Sequence, residues 1–143
     1  MRALSLAILL IVSLILAGYR EAGAVDYRLF AENDEGLFYY DIETITRSSK
    51  DTVQVWVREV FSGQGKRVMS RILGEGHADL DHSILQEELN CRDKTFRYLS
   101  RAIYTKHGAM LSSSKSQIGK FEAIQPNSVD EVLYNTVCGQ ERK

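Results

Sequence analysis

Thr52-Val53-Gln54-Val55-Trp56-Val57-Arg58-Glu59-Val60-Phe61 is the stretch that decides the fold. β-Branched and aromatic residues dominate it, and alternate side chains of a strand point to opposite faces. Val53, Val55, Val57 and Phe61 therefore share one face, and Gln54, Trp56, Arg58 and Val60 share the other. Toward the N-terminus, residues 27–31 and 37–40 are short apolar runs separated by Glu32-Asn33-Asp34-Glu35-Gly36, which predicts a hairpin. Residues 41–51 are polar and end in the turn Arg47-Ser48-Ser49-Lys50-Asp51.

Toward the C-terminus, Ser62-Gly63-Gln64-Gly65 breaks the strand, and Val68, Met69, Ile72 and Leu73 then recur at helical spacing over residues 66–73. Residues 84–91 alternate again, with Leu85, Leu89 and Cys91 on one face; residues 95–105 form a further strand after Arg92-Asp93-Lys94. Residues 110–112 are expected to pair back, and residues 113–120 to form an exposed loop. Ser128 and Glu131 have the spacing of a capping box and open a last helix whose stripe is Val129, Val132, Leu133, Thr136 and Val137. The expected fold is α+β: an antiparallel sheet of about five or six strands with a C-terminal helix packed on one face.

The chain has 143 residues, 44% apolar and 26% charged, which allows one ordinary domain. With 18 basic against 19 acidic side chains it lacks the cationic excess that tracks phosphates, so no nucleic-acid partner is expected. Part of the apolar content is an address rather than a core. Arg2 precedes an apolar run over residues 3–17, and Ala22-Gly23-Ala24 carries the small residues that signal peptidase reads. Residues 1–24 are read as a cleaved secretory signal and residues 25–143 as a single domain; an uncleaved anchor is the alternative. Leu16-Ala17-Gly18-Tyr19 looks like a lipobox whose lipid-accepting Cys is replaced by Tyr, so no lipid and no stable membrane anchor are expected after cleavage. The destination is the periplasm, the medium or the cell surface.

Cys91 and Cys138 are the only cysteines, and an exported chain meets a compartment in which disulfides persist. Two cysteines allow one intramolecular pairing, worth about 4 kcal/mol of loop entropy; a metal ligand pair or a free thiol are the competing readings, and no Cys-x-x-Cys or Cys/His spacing supports metal. If the two meet, the last helix lies across the face carrying Leu85 and Leu89.

His77-Ala78-Asp79-Leu80-Asp81-His82 crowds two imidazoles with two carboxylates, making His77, Asp79 and His82 the metal candidates. Flanking Gly74 and Gly76 favour a solvated loop instead, and no cofactor is expected. No Ser lies in a nucleophile-elbow context, no phosphate-binding glycine loop is present, and Glu87 and Glu88 point to opposite faces of a strand. Non-catalytic work is therefore expected. Lys66, Arg67 and Arg71 on the short helix are read as a solvated face. The face of Trp56 and Arg58 leaves two alternatives open: a surface for dimerisation or partner binding, or one that packs the short helix or a loop.

Several of these segments also carry a family resemblance. Residues 31–36 followed by Phe38-Tyr39-Tyr40-Asp41, then Val53-Gln54-Val55-Trp56-Val57, Glu88-Leu89-Asn90-Cys91, Arg97-Tyr98-Leu99-Ser100 and Pro126-Asn127-Ser128 leading to Cys138 resemble the surface-adhesin protein E family of Gram-negative bacteria. The likeness spans nearly all of residues 27–138. It implies a small exported domain with a curved antiparallel sheet and a C-terminal helix tied to it by a Cys91–Cys138 disulfide. It also implies an adhesin-like role, since the family includes an outer-membrane lipoprotein that contacts host matrix and serum proteins. Tyr19 departs from that member's lipidated Cys, so surface anchoring does not carry over. The expected function is an exported binding domain for extracellular or envelope macromolecules. A homodimeric structural envelope protein is the alternative, followed by a small-ligand or metal carrier.

Intact-mass measurement of the exported product checks the first of these expectations: it should begin at Val25 and carry no lipid increment.

Overall fold

The computed structural model describes residues 25–74, 77, 79–115 and 120–139; the expected signal, residues 1–24, lies outside them. Strands β1 (Tyr27–Asn33), β2 (Gly36–Asp41), β4 (Thr52–Phe61), β5 (Leu80–Asn90), β6 (Thr95–Thr105) and β7 (Met110–Lys115) pair antiparallel in the order β1-β2-β4-β5-β6-β7. Two short strands complete an eight-stranded sheet: β3 (Thr46–Arg47) pairs with β4, and β8 (Glu122–Ala123) pairs with β6. Among the described residues the α-helices are α1 (Gly63–Leu73) and α2 (Val129–Cys138), and a single 3-10 turn spans Ile42–Thr44. The expected α+β architecture holds, with two minor strands beyond the expected count.

Burial alternates along all of β4, with Val53, Val55, Val57, Glu59 and Phe61 buried and their neighbours half-buried. The expected valine face is thus the inner face. It also contains Glu59, whose alternating position the apolar pattern passes over.

Both helices cover this one face. Leu133, Tyr134, Val137 and Cys138 of α2 join Val53, Val55, Val57, Leu85, Leu89 and Phe96 in one core cluster. Met69 and Leu73 of α1 join Phe61, Leu80 and Ile103 in a second. The Cys91–Cys138 disulfide, with Cα atoms 5.5 Å apart, ties the end of α2 beside the end of β5. The Tyr134 hydroxyl donates to the Cys91 carbonyl at 2.8 Å, so the same junction is held twice.

The start of α2 follows the capping expectation with one variation. Ser128 Oγ accepts from the Glu131 amide at 3.1 Å, but the Glu131 carboxylate reaches back to the Asn127 amide, at 2.7 Å, and also binds Lys94 Nζ. Asn127 sits at a φ of 63°, a conformation that Asn tolerates better than most residues.

Two element boundaries differ from expectation. Ser62-Gly63-Gln64-Gly65 ends β4 but also starts α1: Ser62 is the N-cap, its Oγ accepting from the Gln64 and Gly65 amides at 3.1 Å each. Gly65 is required there because a Cβ would collide with the backbone carbonyl of Glu35 in the β1–β2 turn. The expected loop at 113–120 is strand as far as Lys115, because the Ser112–Ser114 backbone pairs with β6 opposite Ile103, Ala102 and Arg101. Serine side chains there obscured a ladder that only backbone groups make.

Replacing both Cys91 and Cys138 by Ser should lower the unfolding free energy by about 3–4 kcal/mol in urea titrations, while the far-ultraviolet dichroism of the folded state stays the same.

Candidate functional site

The sheet offers two surfaces of different character. The first is the helix-free outer face. Register places Trp56 beside Gln86, Arg58 between Tyr39 and Ile84, and Val60 between Leu37 and His82, with Ala102 and Tyr104 of β6 beyond. All are half-buried, shielded by neighbours in the sheet and by no described helix. For the alternative in which the Trp56 face packs the short helix or a loop, the helix half is corrected: α1 packs on the opposite side, where Met69 meets Phe61, Ile103 and Leu80, the last turned inward by a bulge between Leu80 and His82. Arg58 lies over the Tyr27 ring at 5.9 Å from its centroid.

The outer face ends in a polar network. Glu88 accepts from Ser48 Oγ at 2.7 Å, Gln54 Nε2 at 2.9 Å and Arg97 Nε at 2.7 Å. Burial opposes ionisation of Glu88, but the bonds from Gln54, Ser48 and Arg97 outweigh it and hold the carboxyl below its ordinary range.

The expected solvated loop of His77, Asp79 and His82 is only partly a loop. Asp81 and His82 lie in β5. The His82 ring stacks on Tyr104 with centroids 5.2 Å apart, and its Nδ1 meets Asp81 Oδ2 at 2.9 Å. His77 and Asp79 contribute backbone instead: the His77 carbonyl accepts from Leu80 N–H and the Asp79 carbonyl from Lys106 N–H. Among the described residues no three His, Cys, Asp or Glu side chains are gathered to hold a metal ion.

The second surface is a cleft of about 570 Å³ on the inner face, between α1, α2 and the β1–β2 hairpin. Its floor carries charged groups that motif reading missed. Glu59 Oε2 accepts from Arg101 Nη2 at 2.5 Å and from Ser83 Oγ at 3.0 Å. Tyr98 donates a long hydrogen bond, 3.4 Å, to Asp130 at the first turn of α2. Glu87 lies between them in sequence register, opposite Val55 and Tyr98, only 4% exposed, and its Oε2 has no partner.

A bulge assembles this group. β5 pairs Gln86 with Ser100 but Glu87 with Tyr98, so β6 carries one extra residue there. Tyr98 and Arg101, three apart, would face opposite sides of a regular strand; the bulge lets both line the cleft.

Burial raises the Glu87 carboxyl from 4.5 to about 8, with Asp130 and Glu59 adding to the rise and Arg101 opposing it. Burial also raises Glu59, against Arg101 and Ser83, and raises Asp130, against its Tyr98 bond. Groups of this kind can exchange protons or pair with a cation. They do not present a nucleophile: Ser83 is fully buried and donates its hydroxyl proton to Glu59. In the sequence, the signal for this site was two Glu residues, Glu59 and Glu87, at positions that alternation places inside.

Comparison with known proteins agrees with the fold. The family model described as Surface-adhesin protein E matches residues 27–139. Crystal form II of Haemophilus influenzae protein E is similar at a TM-score of 0.51 and 12% identity, covering 85% of this chain and 97% of that one. The selenomethionine form of Haemophilus influenzae protein E gives 0.51 and 13%, covering 82% and 92%. At such identity the likeness is one of fold. No curated protein sequence matches the chain.

The folded protein keeps a proton on Glu87 that the unfolded chain releases, so this carboxyl supports folding below about pH 4.5 and loses that support as pH rises to about 8. Glu87→Gln should leave stability unchanged near pH 4.5 and increase it relative to the parent progressively up to about pH 8, by up to about 5 kcal/mol in urea titrations.

Proposed function

The chain belongs to the surface-adhesin protein E family, and from that premise we propose that it is an exported, non-catalytic binding domain. Its outer sheet face, built around Trp56 and Arg58, contacts an extracellular or envelope macromolecule. The observation that carries this reading is one-sided coverage. Both α-helices lie on the inner face, while the aromatic side chains of Trp56, Tyr39, His82 and Tyr104, with Ile84 among them, form a half-buried surface on the other.

Aromatic side chains and Arg are the groups that concentrate binding energy at protein interfaces, because they bury much area for few rotatable bonds. The Glu88 network with Gln54, Ser48 and Arg97 supplies a polar rim beside them. Export is supported by the Arg2 and residue 3–17 pattern and by a disulfide, which persists in oxidising compartments. Periplasm, medium and cell surface all meet that condition.

Solid-phase binding to a panel of extracellular-matrix proteins and envelope polymers tests the proposal. Saturable binding to at least one member is expected, with Trp56→Ala weakening it by about tenfold or more, as for an interface anchor. Absence of saturable binding would count decisively against it. If sedimentation instead shows a dimer that Trp56→Ala converts to monomer, the face joins two copies of this chain.

A further inference from the structure

The cleft on the inner face has a composition that selects its occupant. Glu87 at its floor is 4% exposed, lines the cleft and has an oxygen without a partner. A buried polar atom in that state costs free energy that an incoming donor recovers. The other charged groups lining the cleft are Glu32, Glu35, Glu59, Asp130 and Arg101. Arg101 donates to Glu59 through Nη2, and although its Nε is, like the Glu87 oxygen, buried without a partner, carboxylates outnumber it and the balance is negative, which favours a cationic guest. The mouth is apolar and unshielded: Ile72 of α1 is 70% exposed and Val132 of α2 is 40% exposed, and both line the cleft.

We infer that this cleft binds a primary alkylammonium group, its charged head donating to the Glu87 carboxyl and its alkyl chain lying between Ile72 and Val132. An ammonium offers several N–H donors on a flexible apolar stem, which fits a buried acceptor reached past apolar walls. A compact metal ion would need several oxygen ligands converging on one point, and among the described residues no such group is gathered. The ammonium could belong to a free diamine or to a lysine side chain of another protein; the cleft chemistry is the same.

Pairing with a cation requires Glu87 to be ionised. Glu59, Asp130, Tyr98 and Arg101 face it from β4, α2 and β6, and burial together with Asp130 and Glu59 raises its proton affinity. Affinity for the ammonium therefore rises with pH until the amine itself loses its proton. The outer face around Trp56 takes no part, so this site and the proposed partner surface succeed or fail separately.

Isothermal titration of the exported product with cadaverine, with Nα-acetyl-lysine methylamide and with hexanoate tests the inference. Saturable binding of at least one amine is expected, on the order of tenfold tighter near pH 8.5 than near pH 6. Glu87→Gln should weaken it by about tenfold or more, and Trp56→Ala should leave it unchanged. Preference for cadaverine identifies a free amine as the guest, and preference for the lysine analogue identifies a protein side chain. Carboxyl carbon NMR of the parent gives a second readout that needs no variant: the Glu87 resonance should move on amine addition. The inference is overturned by no saturable binding of either amine up to about 10 mM, by equal binding of hexanoate, by a Glu87 resonance that does not respond, or by a folded Glu87→Gln protein that binds as the parent does.

Discussion

A β-strand turns alternate side chains to opposite faces, and in this protein both helices are committed to the same face of one antiparallel sheet. The inner row of β4 is the constraint from which the other features follow. Val53, Val55 and Val57 receive α2, Phe61 receives α1, and Glu59 sits between the two helices where neither fully covers the sheet. One-sided coverage leaves the outer face half-buried and open, and the gap between the helices becomes a cleft. The two candidate surfaces are thus consequences of a single packing decision.

Holding α2 in place takes more than its apolar stripe. Ten residues are too few for a helix to persist alone in water, so tertiary contacts must supply its stability. The Ser128 cap orders its first turn, Lys94 reaches Glu131 from the β5–β6 turn, and the disulfide with the Tyr134 hydrogen bond anchors its last turn to Cys91. α1 is held differently. Its N-cap at Ser62 is locked to the β1–β2 turn, where the Ser62 amide donates to the Glu35 carbonyl at 2.8 Å and Gly65 allows the close approach. The sheet and its turns therefore hold α1 at its start and α2 at both ends, and the cleft opens between the two helices.

Stability and function pull in different directions at the cleft floor. An inward Glu at positions 59 and 87 is a poor choice for a core, and a well-packed apolar residue would generally serve stability better. Glu59 is largely satisfied by Arg101 and Ser83, but Glu87 is not, and burial keeps it protonated near neutral pH. Local departures of this kind from the rules of core packing concentrate where a protein meets a ligand.

Much of the architecture was legible in the residues alone. The strand period of residues 52–61, the hairpin before it, the capped last helix and the clamp between Cys91 and Cys138 all follow from local spacing, turn chemistry and a cysteine count, because each depends on neighbours close in sequence or on a unique pairing. Side-chain patterns misled at residues 113–115, where a backbone ladder ignores the polarity of serine, and at Ser62–Gly65, where a strand end doubles as a helix cap. The cleft was beyond such reading. Tyr98 and Arg101 meet on one face only because a bulge opposite Glu87 changes the parity of β6, and Glu59, Glu87 and Asp130 come together from three elements distant in the chain. The sequence by itself determined the strands, the capped C-terminal helix and the single possible disulfide; tertiary structure alone decided that both helices share a face and that the acidic cleft lies between them, since strand parity and helix placement are set by packing across the sheet.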